Sequence, residues 1–370
     1  MSASPAPRPS VSQTSPAHHG AFDYAELQSL GIQPDDLIDF SVNSNPFGPS
    51  PTVRQALANV PLERYPDREC LALRQTLGNS LHVAPDQIVV GNGTAELLQL
   101  VCYAYLRPAT ASDCDRVVIV GPTFGEYRRA SELMGAQVYE CRADASTAFA
   151  ANARAIAHTL QDIRPRLFFL CNPNNPTGTL YPPEVVAQWG STSPETLLVI
   201  DEAYIAFARE GKSALELGAP NVLIVRSMTK DYALAGLRLG YAVGPLPVVN
   251  AIASVRPAWN VSALAQAAGI ASLRDTRHLE KSLAALQAAN RRLLAGLQEL
   301  HLAPVPSATH FFILQVGNGA ALRRALLAKG IQVRDCASFG LPEYIRIATR
   351  RPRENRRLIR ALREIAPCRD

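Results

Sequence analysis

The sequence predicts an α/β protein: a large domain on a mostly parallel sheet covered by helices, followed by a smaller α+β domain. Two observations carry this expectation. From about 51 to 270, short β-branched runs alternate with helix-like stretches, and after about 275 the pattern becomes a long amphipathic helix followed by mixed strands and helices. Runs that are apolar throughout suit strands buried on both faces, as in a parallel sheet between two helical layers.

Residues 1–17, MSASPAPRPSVSQTSPA, are rich in Pro, Ser and Ala, have nothing to bury and are expected to form a disordered tail. Residues 18–50 hold a short helix signal and the loop DFSVNSNPFGPSP, and are expected to be an N-terminal arm packing on the small domain. The large domain spans 51–272, with strand runs QIVVG (87–91), RVVIVG (116–121), RLFFLC (166–171), LLVIDE (197–202), VLIV (222–225) and GYAVG (240–244). Ligands of such sheets bind beyond the carboxyl ends of the strands. The small domain, 273–370, opens with Leu279, Leu283, Leu286, Leu293, Leu297 and Leu300 on one face of a helix. Its strands are THFFILQV, IQVRD and EYIRIAT, with helices near 318–329 and 352–366.

At 370 residues, 47% hydrophobic and 19% charged, the chain reads as globular. Its net charge of +5 comes from scattered arginines, which argues against a nucleic-acid partner, since phosphate tracking needs basic residues on one face. No apolar run approaches a membrane span, and the N-terminus lacks a signal-peptide pattern. Seven dispersed cysteines form no CxxC pair and no zinc spacing, so no metal is expected, and reduced thiols in a cytoplasm are.

Chemistry concentrates at strand ends. Lys230, in SMTKDYALAGLRLGY, follows VLIV and precedes a small, apolar stretch. A lysine taken out of water loses much of its preference for the charged form, and a neutral amine can attack a carbonyl. Taken alone it is equally a strand-end side chain reaching for water or pairing with Asp231. In GNGTAE, Gly91 and Gly93 lead from a strand into a helix starting at Thr94, a turn that suits phosphate. Asp201 ends a very apolar strand, where a carboxylate needs a cation or donors, with Tyr204 three residues on. The loop CNPNNPTG offers Asn175, and PTFGEY brings Phe124 to another strand end, where a ring can stack on a flat ligand. Each has an ordinary structural reading, yet a phosphate cradle, a carboxylate for a ring nitrogen, a tyrosine and an asparagine for a ring oxygen, an aromatic lid and an amine for an aldehyde together describe pyridoxal 5′-phosphate.

DFSVNSNPFGPSP, RYPD, GNGTAE, PTFGEY, NPNNPTG, DEAY, SMTK, AGLRLGY, VRDC and YIRIATR occur in the order found in fold-type I pyridoxal-phosphate enzymes of the class I/II aminotransferase superfamily, which the chain resembles over about 20–366. The branch it resembles holds histidinol-phosphate aminotransferase and threonine-phosphate decarboxylase. The resemblance implies an aspartate-aminotransferase-like fold with a seven-stranded sheet. It also implies that Lys230 carries the cofactor and moves the α-carbon proton, that Asp201 pairs with the ring nitrogen, that Tyr204 and Asn175 bond the ring oxygen, and that Phe124 stacks on the ring. Gly93, Thr94, Ala95, Ser227, Thr229 and Arg238 are implied for the phosphate. Tyr65 of RYPD is implied to reach the partner's site in a homodimer. Arg346 and Arg334 are implied to grip substrate anions, and Asn43 and Asn45 to line the substrate pocket.

In such enzymes the bond held perpendicular to the ring selects the reaction. Transamination of an amino acid or phosphorylated amino compound onto an oxo-acid is the first expectation. The alternative is L-threonine-O-3-phosphate decarboxylation: SMTKDYA and RDCASFGLPEYIRIATR lean toward it, and HHGAF, with His18, His19 and Gly20, is similar to the decarboxylase start but lacks its second glycine and asparagine. A non-catalytic binding protein of this fold would be expected to lose Lys230 or Asp201, and a regulator would need a DNA-binding module that the short tail has no room for.

Overall fold

The computed structural model describes residues 5–17, 19–108 and 113–365. In chain order the strands are β1 Ile38–Asp39, β2 Ile88–Gly91, β3 Arg116–Gly121, β4 Gln137–Arg142, β5 Leu167–Cys171, β6 Leu197–Asp201, β7 Val222–Ser227, β8 Gly240–Val243, β9 Phe311–Gln315, β10 Ile331–Gln332, β11 Arg334–Asp335 and β12 Tyr344–Ala348. Seven of them form one sheet in the order β2-β8-β7-β6-β5-β3-β4. All neighbours are parallel except β8, which runs antiparallel to β2 and β7. The seventh strand, β4, was not among the sequence runs: at the sheet edge its four central residues are only half-buried and its two ends exposed, so QVYECR lacks the continuous apolar signature.

The central strands are apolar because both faces are covered. Phe169 and Val199 pack under Leu97 and Val101 of the helix Thr94–Tyr105, whereas Phe168 and Leu198, one residue away, face Leu160 and Trp189 on the other side. Period-two alternation thus sends neighbours of one strand into two cores. Each such side chain contributes about 1.5–3 kcal/mol on burial.

The second body is built on the antiparallel order β11-β12-β9 and on the long helix Thr276–Gln298, whose Leu286, Leu293 and Leu297 are buried. Chain from the N-terminal arm joins it: β1 pairs in parallel with β10, Ile38 opposite Ile331, and Phe40, fully buried, completes the cluster with Leu297, Phe312 and Leu358. The stretch expected to be a structureless tail needs correction, because Pro9–Gln13 forms a short helix and Ser10 Oγ donates to Leu133 O at 3.1 Å. Proline in the first turn sets φ for a helix in advance, and docking holds a helix too short to persist alone.

Candidate active site

The strands β6 and β7 end side by side, and their last turns bring Asp201 and Lys230 together. Asp201 is 3% exposed, and burial raises its pKa from the ordinary value. Its charge is supported by Tyr127 Oη, which donates to Oδ2 at 2.7 Å, and by the Ala203 amide, which donates to Oδ1 at 3.0 Å. Tyr127 sits in the helix Glu126–Leu133, is itself fully buried and stacks on Phe169 at 5.3 Å. PTFGEY ends on this residue, yet a tyrosine on a helix beside a sheet reads as core, and nothing in the motif marks it as the aspartate's partner.

Lys230 follows β7 on a loop stitched at both ends. Ser227 and Thr229 share a hydroxyl contact of 2.7 Å, and the Asn45 amide donates to Lys230 O at 2.8 Å. The lysine is half-buried; desolvation, then the positive charges of Arg346 and Arg238, push its ammonium down to about 8 against the attraction of Asp201. An amine lowered in this way is neutral in a substantial fraction near physiological pH.

The turn after β2 meets the loop after Lys230. Gly93 has φ 80°, and a Cβ there would lie 2.9 Å from the Arg238 guanidinium, so only glycine leaves the space. Thr94 and Ala95 open the helix, placing unpaired amides beside that guanidinium. Gly240 is equally constrained, since a Cβ would stand 2.8 Å from the Thr94 amide nitrogen. Gly93, Thr94, Ala95, Ser227, Thr229 and Arg238 therefore lie on adjoining turns.

Arg346, on β12, is 4% exposed and donates to Asn175 Oδ1 and Ser41 O. Its guanidinium lies 5.8 Å from the centre of the Phe311 ring, and burial lowers its pKa. Tyr204 is buried, meets Phe311 edge-on at 4.8 Å and has its phenol pKa raised by burial. Beside it Asn43, 2% exposed, leaves both amide atoms without a hydrogen-bond partner among the described residues. Phe124 stands edge-on to Tyr127 at 5.6 Å and meets His19 at 5.5 Å. Arg334, opposite Arg346 in the β-ladder, donates to His19 O at 2.8 Å and Ser338 Oγ at 2.6 Å. His19 Nε2 also meets Glu126 Oε1 at 2.9 Å; His18 lies outside the described residues.

Two further residues of the expected set have other surroundings in this chain. Asn45 does not offer its amide to a pocket: Nδ2 donates to Asp231 O and Ser282 Oγ at 3.0 and 2.8 Å, and Oδ1 accepts from the Phe47 amide at 3.1 Å. A buried amide spends its bonds on whatever surrounds it, and here that is the Lys230 loop and the long helix. Tyr65 is 80% exposed and packs on Trp259 at 4.7 Å, apart from the Lys230 cluster. Among the described residues no His, Cys, Asp and Glu group is arranged to hold a metal ion, and no helix is long and apolar enough to cross a membrane.

The family described as aminotransferase class I and II matches residues 35–362. A histidinol-phosphate aminotransferase of Symbiobacterium thermophilum is 38% identical over 345 residues, which are 91% of this chain and 92% of that protein. Among solved structures, histidinol-phosphate aminotransferase from Sinorhizobium meliloti in complex with pyridoxal 5′-phosphate matches with a TM-score of 0.85 at 27% identity, covering 99% of this chain and 98% of that one. L-threonine-O-3-phosphate decarboxylase from Porphyromonas gingivalis matches with a TM-score of 0.75 at 27% identity, over 89% of this chain and 99% of that one.

Proposed function

From the premise that this chain belongs to the class I and II aminotransferase family, we propose that it is a pyridoxal 5′-phosphate enzyme that moves the amino group of histidinol phosphate to an oxo-acid. The observation that carries the reading is the pairing at the ends of β6 and β7 of a lysine lowered to about 8 with a buried, donor-supported aspartate. The residues present fit the cofactor. Asn43 has a buried amide unpaired, and the Gly93 turn is open to the width of a missing Cβ against Arg238.

Bound there, pyridoxal 5′-phosphate supplies a conjugated ring that accepts the electron pair left at the substrate's α carbon. Gly93, Thr94, Ala95, Ser227, Thr229 and Arg238 hold the phosphate, the arginine with a two-pronged fork. Asp201 keeps a positive ring nitrogen protonated, its charge sustained by Tyr127. Tyr204 and Asn175 orient the ring oxygen, and Phe124 covers one face. Lys230 Nζ would be the base that takes the proton from the substrate α carbon and holds it for return, a role suited to an amine near neutral pKa. Arg346 and Arg334 bind the substrate's anionic ends, and the burial of Arg346 strengthens its pair by excluding water. The same proposal makes the enzyme a cytoplasmic homodimer in which Tyr65 reaches the partner's phosphate. The exposed Tyr65–Trp259 pair and the free cysteines among the described residues support it.

A second reading, threonine-phosphate decarboxylation, is favoured by one observation: His19 and Gly20 lie over the arginines, with a Cβ on Gly20 only 3.3 Å from the Arg346 guanidinium. The test separates them. The cofactor-loaded enzyme is mixed with L-histidinol phosphate or O-phospho-L-threonine without an oxo-acid, and cofactor spectrum and carbon dioxide are followed. A lasting spectral change with histidinol phosphate and no gas supports transamination; gas from phosphothreonine with an unchanged final spectrum replaces it by decarboxylation.

A further inference from the structure

We propose that Glu126 is a positioning residue for the substrate's anionic group, acting through His19 on Arg334 and Arg346. This role rests on the reading of those two arginines as anion-binding residues. Glu126 opens the helix Glu126–Leu133 and is 5% exposed. A carboxylate in a first turn favours the positive end of its helix, which is its ordinary structural role. The partners of Glu126 add a second one.

Glu126 Oε1 lies 2.9 Å from His19 Nε2, and Oε2 accepts from Arg129 Nη1 at 3.3 Å. The bond to His19, followed by the charges of His19 and Arg129, holds the carboxyl pKa below its ordinary value against the effect of burial. Glu126 is therefore ionised at neutral pH, and since a carboxylate only accepts, Nε2 carries the proton between them. Two residues far apart in sequence are joined by a bond with one charged member, the stronger kind.

His19 is held at its backbone as well. Its carbonyl oxygen accepts from Arg334 Nη1 at 2.8 Å, while Arg334 Nη2 donates to Ser338 Oγ at 2.6 Å. The next two residues seat on Ser41: the Ala21 amide donates to Ser41 Oγ at 3.0 Å, and a Cβ on Gly20 would stand 2.5 Å from Ser41 O. That same Ser41 O accepts from Arg346 Nη2. Three consecutive residues thus touch one substrate arginine and the backbone partner of the other. Their anchor on the large domain is the His19 ring, bonded to Glu126 and 5.5 Å from the Phe124 ring.

A guanidinium grips an anion with a planar fork, so affinity depends on its plane as well as its charge. The His19 carbonyl fixes that plane for Arg334, and Glu126 fixes the carbonyl. With Glu126 removed, the half-exposed His19 ring loses its bond, and the fork must be ordered when the anion arrives.

The test is a calorimetric titration of the cofactor-loaded protein with inorganic phosphate, the Gly93 turn being already taken by the cofactor's own phosphate. We expect a saturable site in the wild type that is lost in Arg334→Ala. Glu126→Ala and His19→Ala should each weaken it about tenfold, and Glu126→Ala/His19→Ala no more than either alone. Glu126→Gln, whose amide oxygen still accepts from His19, should stay within about threefold of the wild type. A lower melting temperature in Glu126→Ala with phosphate affinity unchanged leaves Glu126 a helix-end charge and overturns the proposal, as do additive losses in the double variant. If Arg334→Ala abolishes binding and Glu126→Ala does not weaken it, the positioning role alone falls. Absence of phosphate binding, or binding indifferent to both Arg334→Ala and Arg346→Ala, overturns the reading of the arginines and the role of Glu126 with it.

Discussion

Tyr127 and Asp201 share a hydrogen bond of 2.7 Å with both side chains shut off from solvent, the phenol donating and the carboxylate accepting. A bond to a buried charge is worth about 1.5–3 kcal/mol, more than one between neutral groups. Tyr127→Phe removes the donor and keeps the stacking on Phe169. We expect kcat to fall roughly tenfold or more. The acid limb of the pH–rate profile should move upward, because the aspartate loses a group that lowers its pKa. An unmoved acid limb would reduce Tyr127 to a packing residue.

The depressed lysine gives a stability signature in the cofactor-free protein. Its pKa is about 8 in the fold against an ordinary 10.5, so between those values the unfolded chain binds a proton that the folded chain does not. Stability must then rise with pH across that window, by roughly 2–3 kcal/mol after allowing for partial exposure, and the burial cost is paid in full below it. Lys230→Met should lack this rise, which urea unfolding of the two proteins from pH 7.5 to 10 measures by difference. Lys230→Met should also stay colourless after incubation with pyridoxal phosphate. Parallel stability curves would show that the lysine is not desolvated.

Arg346 is buried against Asn175 and Ser41 with its charge available to an anion. Arg346→Lys keeps the charge but loses the fork, and kcat/KM for histidinol phosphate should drop roughly thirtyfold or more. Unchanged kinetics would remove Arg346 from substrate binding.

Asn45→Ala breaks the bonds to Asp231 O, Ser282 Oγ and the Phe47 amide at once. The expected loss of stability is about 2–3 kcal/mol, with kcat lowered by a loosened Lys230 loop and KM nearly constant. A raised KM at unchanged stability would place Asn45 in the substrate pocket after all.

How much of this was legible in the sequence depended on whether a residue's role follows from local pattern. LLVIDE announces a carboxylate at the end of a buried strand, and VLIV followed by SMTK announces a lysine in apolar company; both are found there, at the ends of β6 and β7. The Gly93 turn was equally readable, because strand, glycine and helix start are consecutive. Arg346 and Arg334 were legible only through the order of motifs, since an arginine in YIRIAT looks like any strand residue. Tyr127 was not legible as the partner of Asp201, because it belongs to a helix whose pairing with β6 arises only in the tertiary structure. Edge strand β4 escaped for a local reason: a half-buried edge strand carries a weaker signal than continuous burial.

The pairing of β1 with β10 has a bearing on synthesis. On a ribosome the arm emerges ahead of both domains, yet the backbone partner of Ile38 and Asp39 lies at Ile331 and Gln332. Until that late segment is translated, Phe40 has no cluster to enter and its apolar ring stays open to unintended contacts. The last body to close therefore contains residues made well before the rest of it, and Arg334 and Arg346 take their places on its strands in the same late interval in which the arm is captured.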